Sequence, residues 1–90
     1  MSYHFSLQAR DVAADFEPER IEVASGLAIR VHRLPDQANT RVWRISKGAV
    51  EFGLFSSDGE YWSERLDEKQ LKLFVQMANV LNADVVGEEG

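Results

Sequence analysis

The sequence predicts an α+β fold. It consists of a twisted antiparallel sheet of about five strands, one face covered by a long C-terminal helix at about residues 67–82, and a short final strand. Three observations carry this expectation. Short runs alternate apolar and polar residues, glycine-containing pairs separate several of those runs, and one long window near the C-terminus shows helical periodicity.

The elements follow in chain order. Tyr3, Phe5, Leu7 and Ala9 alternate with His4, Ser6, Gln8 and Arg10, the period of a half-buried strand. Asp11 is placed to cap a short helical turn through Phe16. Glu17-Pro18 ends that turn, because the residue before proline is pushed out of the helical region. Ile21 and Val23 open a second strand, which Ser25-Gly26 reverses. Leu27, Ile29 and Val31 then share one face, with Ala28, Arg30 and His32 on the other. The composition of Pro35 to Thr40, PDQANT, is that of a loop.

From Arg41 the alternation resumes, with Trp43 and Ile45 on one side and Val42 and Arg44 on the other. Lys47-Gly48 turns the chain into Val50, Phe52 and Leu54. The stretch SSDGEYWSE (56–64) holds Asp58-Gly59, a pair suited to a type I′ hairpin, whose two central residues need positive φ. Asp67 followed by Gln70 reads as a capping box ahead of the helix. Asp84 to Val86 forms the short final strand, and residues 87–90 read as a frayed tail. The chain, residues 1–90, is expected to be a single domain without a linker.

Composition narrows the function. The hydrophobic share of 44% and the charged share of 28% are those of a folded domain. The absence of cysteine removes disulfides, thiolate zinc sites and thiol nucleophiles, and fits a reducing compartment. The N-terminal residues lack the apolar core of a secretory signal, and no apolar run reaches the roughly 18–20 residues of a membrane span. The expectation is a cytoplasmic protein with no membrane partner.

The sequence offers no complete catalytic or cofactor motif. SSDGEYWSE fails as a calcium loop: with Gly59 in the glycine position, the first ligand would be Leu54 and the twelfth Arg65. Its carboxylates, Asp58, Glu60 and Glu64, sit at a solvated hairpin tip rather than in the dry pocket that acid–base work needs. His4 and His32 each stand alone, without His-x-His or HExxH spacing. There is no Gly-x-Ser-x-Gly elbow, Walker loop or dinucleotide glycine fingerprint. The reading is a non-catalytic protein with no cofactor and no metal.

Two surfaces remain as functional candidates. The net charge is −5, yet Arg30 to Lys47 holds five basic residues against Asp36 alone, which leaves −9 for the rest. Arg30, His32, Arg41 and Arg44 are the candidate anion-binding residues, with Arg30, His32 and Arg44 on the parity opposite the core. Arginines beside aromatics on a sheet suit phosphates and stacked bases of single-stranded nucleic acid. The simpler alternative pairs these arginines with carboxylates such as Glu22 and Glu51.

The second surface is the helix. Leu71, Phe74, Val75, Ala78 and Leu81 form one apolar stripe, and Leu73, Met77 and Val80 widen it beyond what one sheet face usually covers. Leu73, Met77 and Val80 are therefore candidate partner or dimer contacts. Tyr61 and Trp62 join them, since strand alternation turns one of the pair outward. The functional expectation is a small interaction or regulatory domain that binds another protein or itself, with anion or single-stranded nucleic-acid binding as the alternative.

Overall fold

The computed structural model describes residues 3–9, 18–24 and 28–89. The elements run β1 (Tyr3–Ala9), α1 (Arg20–Ala24), β2 (Arg30–Gln37), β3 (Thr40–Lys47), β4 (Val50–Ser57), β5 (Glu60–Glu64), α2 (Glu68–Val80) and β6 (Ala83–Glu89). The strands form one six-stranded sheet in the order β2-β3-β4-β5-β1-β6, antiparallel at every junction. This is the α+β architecture that the alternation and the single long helix imply.

Local chemistry explains the meander from β2 to β5. Its strands are joined by two-residue turns at Ala38–Asn39, Gly48–Ala49 and Asp58–Gly59. Asp58 and Gly59 have φ of 53° and 79°, the left-handed pair a type I′ turn requires. Helix α2 begins as its capping box dictates. The Gln70 amide donates to Asp67 Oδ1 and the Asp67 amide to Gln70 Oε1, both at 2.8 Å.

The core lies between α2 and one face of the sheet. Phe74 stacks on Phe52 of β4 with ring centroids 5.7 Å apart, and meets Phe5 of β1 edge-on at 6.4 Å. Leu73, Met77 and Ala78 are buried beside it, with Leu7, Ile45, Leu54 and Ala83 among the sheet residues they pack with. Further along the same face, α1 adds the fully buried Ile21.

Several expectations are corrected here. Ile21 and Val23 lie in a one-turn helix, not a strand; the Ile21 amide donates to the Pro18 carbonyl at 3.1 Å. Two apolar residues are too few to establish the period of a strand. The loop expected at 35–40 shrinks to Ala38–Asn39, because β2 continues through Pro35. Proline is tolerated there because β2 is the sheet edge, where an amide has no strand to donate to. A register shift between Leu34 and Gln37 absorbs the irregularity. The tail expected to fray is strand through Glu89, paired with β1 from Ala83↔Ala9 to Glu89↔Tyr3. The helical turn expected at Asp11–Phe16, the turn at Ser25-Gly26 and Gly90 lie outside the described residues.

The helix face is also turned relative to the stripe read from spacing. Leu73 and Met77 are core residues, Met77 with no exposure at all, and Val80 is half-buried against the same core. Leu73 and Met77 thus face the core rather than outward, and Val80 is only partly covered. Val75, assigned to the buried stripe, is 40% exposed. The sheet beneath α2, with Phe5 and Phe52 in it, selects the side of the apolar arc that packs. Among the described residues, no helix is long and apolar enough to cross a membrane.

Candidate functional site: the open face of the sheet

Both helices lie on one side of the sheet. The opposite face carries no described element, and the registers define what it displays. Leu34 pairs with Val42, Val42 with Phe55, Phe55 with Trp62, Trp62 with Ser6, and Ser6 with Val86. Directly paired residues share a face, so these six form one row across all six strands. Five of the six are apolar.

This row is a second hydrophobic unit. Val42 is buried, and among the described residues it is the only buried hydrophobic side chain outside the main core cluster. Phe55 and Trp62 stack with ring centroids 6.0 Å apart and planes 28° from parallel. Phe55 also leans along its own strand, so that a Cβ at Gly53 would lie 3.4 Å from its ring. Glycine at that position lets the ring lie close to the sheet. Trp62, Phe55, Leu34 and Val86 remain half-exposed.

Polar residues border the row asymmetrically. Arg30, His32 and Arg44 stand on this face in β2 and β3, with His32 directly opposite Arg44 and Arg30 opposite Ser46. All three are exposed, and among the described residues neither arginine forms an ion pair. Glu60 and Glu64 occupy the same face in β5, and Asp84 in β6, all exposed. The face is therefore mainly basic at β2 and β3, with exposed Glu51 of β4 beside them, and mainly acidic at β5 and β6.

Arg41 does not belong to this group. Its parity places it on the helix side, where its guanidinium lies 5.5 Å from the centre of the Trp43 ring and 6.0 Å from that of Tyr61. Nη2 donates to Ser56 Oγ at 3.2 Å and to the Tyr61 hydroxyl at 3.4 Å. Arg33, the cross-strand partner of Trp43, covers the same indole at 4.8 Å, donates to the Val42 carbonyl and pairs with Asp36 at 2.6 Å. Trp43 Nε1 donates to Glu19 Oε1 at 2.7 Å, tying the indole to the entry of α1. Two arginines and a carboxylate thus seal a tryptophan that is 2% exposed, beyond the end of α2.

Tyr61 and Trp62 are resolved the same way. Tyr61 is buried on the helix side, and Trp62 faces out in the open row. The carboxylate pairing expected for the arginines differs too. Glu22 Oε1 accepts from the Val31 amide at 3.0 Å, occupying an edge donor of β2, and Glu51 sits opposite Ser46. The continuous row was not foreseen, although the outward positions Val42 and Phe55 carried its signal; it emerges only once the registers are fixed. Among the described residues, no three His, Asp or Glu side chains are grouped to hold a metal ion.

The arrangement defines a class: a small α+β domain whose sheet has one packed face and one open face crossed by an apolar row. The chain matches no protein-family model, no curated protein and no solved structure.

Proposed function

We propose that this protein is a non-catalytic interaction domain that self-associates through its open sheet face. The observation behind this reading is the row Leu34–Val42–Phe55–Trp62–Ser6–Val86, which places apolar side chains across the full width of a sheet that no described element covers. Sheets of this kind gain stability by packing such a face on a second layer. Charge selects the occupant. A two-fold axis along the strand direction superposes β2 and β3 of one copy on β1 and β6 of the other. It keeps each residue at its own level along the strands, so Arg44 of one copy comes towards Glu64 of the other, while Phe55 faces Trp62 at the centre. The arrangement is thus complementary in charge where Arg44 meets Glu64. The cysteine-free composition agrees with a reducing compartment such as the cytoplasm.

The competing occupant is single-stranded nucleic acid, stacked on Phe55 and Trp62 with phosphates at Arg30, His32 and Arg44. The exposed carboxylates on the same face repel such a ligand. Sedimentation equilibrium tests the reading: the native chain is expected to associate, and Trp62→Glu to sediment as a folded monomer. A native chain that stays monomeric up to about millimolar concentration, the weak limit of specific contacts, overturns it. Salt-sensitive binding of a random oligonucleotide by such a monomer assigns the face to nucleic acid.

A further inference from the structure

The chain contains only three lysines, Lys47, Lys69 and Lys72. All three line one cavity of about 160 Å³ on the helix side of the molecule, between the first turns of α2 and the β3–β4 turn. Val50 and Leu73 complete its wall, together with Gln76. We infer that this cavity is a binding site for a small multivalent oxyanion of the phosphate class.

The argument is electrostatic and geometric. All three lysines of a chain of net charge −5 line one open pocket, a grouping of positive charge that solubility does not require. The counter-charge present is small. Lys72 reaches Glu68 Oε1 at 3.9 Å, with both side chains more than three-quarters exposed, a contact of the kind that contributes little. Among the described residues, Lys47 and Lys69 have no carboxylate partner at all.

Lys47 is instead held by its Nζ donating to Gln76 Oε1 at 3.4 Å. That bond turns the Gln76 amide so that its NH₂ remains available as a donor beside the lysines. The apolar wall of Val50 and Leu73 excludes water from one side, which strengthens attraction to an anion. Lysine meets phosphate as a compact point charge with three donors. The volume exceeds that of several waters and accommodates a phosphate or diphosphate group.

Because every lysine of the chain lines the cavity, lysine signals report on it directly. Lysines labelled with ¹³C at Cε keep their charge and all three donors and give one resonance set each. Titration with pyrophosphate is expected to shift all three along one saturable curve, more tightly than phosphate, and acetate to shift none. Lys47→Gln and Lys69→Gln should each weaken pyrophosphate binding about tenfold, the effect of one charge-assisted hydrogen bond. Arg44→Gln, on the open face, should leave it unchanged. Phosphoserine run in parallel separates an esterified phosphate from a free oxyanion, and saturable binding of either supports the site. Shifts that do not saturate with any phosphate compound, or that sodium chloride of equal ionic strength reproduces, overturn it.

Discussion

Tyr61 and Trp62 are chain neighbours that serve opposite sides of the sheet: Tyr61 is 7% exposed beneath the Arg41 guanidinium, and Trp62 stacks on Phe55 in the open row. Their substitutions should therefore separate stability from association. Tyr61→Phe removes a hydroxyl that accepts from Arg41 and should cost roughly 0.5–1.5 kcal/mol, with the association constant unchanged. Trp62→Glu should abolish association. Chemical denaturation paired with sedimentation reads both quantities on the same samples.

The charge halves of the open face give a sharper test of the packing direction. Arg44→Glu and Glu64→Arg should each weaken self-association, and the double exchange should restore part of it. If the double variant is as weak as the sum of the two singles, the two-fold arrangement is wrong.

Leu73 and Val75 sit two residues apart on α2 with opposite fates, which makes a clean stability comparison. Leu73→Ala empties a core position under the helix and should cost about 2–4 kcal/mol. Val75→Ala changes a side chain that is 40% exposed and should stay within about 0.5 kcal/mol. Urea unfolding curves check both values; equal costs would mean that the helix packs by another face.

Legibility in the sequence followed how local each signal was. The Asp58-Gly59 turn, the Asp67–Gln70 capping box and the alternation in β1, β3 and β4 are decided by neighbouring residues, so each was readable directly. Pro35 has the local signature of a loop, and its place in a strand depends on β2 being the edge, a fact about sheet order. Gly87 to Glu89 offer no apolar residue, and they are strand only because β1 supplies a partner for them. On α2 the apolar arc is wide enough to permit two orientations. Phe52 and Phe5 choose between them from elsewhere in the chain. Arg41 is close to Arg30 and Arg44 in sequence, yet parity alone sends it to the other face.

The helix start provides a prediction of its own. Asp67→Ala removes the acceptor for the Gln70 amide and should cost about 1 kcal/mol. Gln70→Ala removes two bonds, one to the Asp67 amide and one from its Nε2 to the Glu51 carbonyl at 2.8 Å. It should cost as much or more, and should raise amide hydrogen exchange in the first turn of α2. A neutral Gln70→Ala would show that water replaces both contacts without loss.

The position of β1 has a consequence for how the molecule comes apart. β5 and β6 never touch as strands; β6 is joined to the rest of the sheet only through β1, whose partners both come from the far half of the chain. The meander β2–β5 closes by two-residue turns, whereas β1 must be recruited across a long loop, the slower kind of contact to form. β1 thus behaves as a late-seated clasp. Partial opening should release β1 and β6 together, so that hydrogen exchange finds those two strands as one subglobal unit of lower stability than the meander.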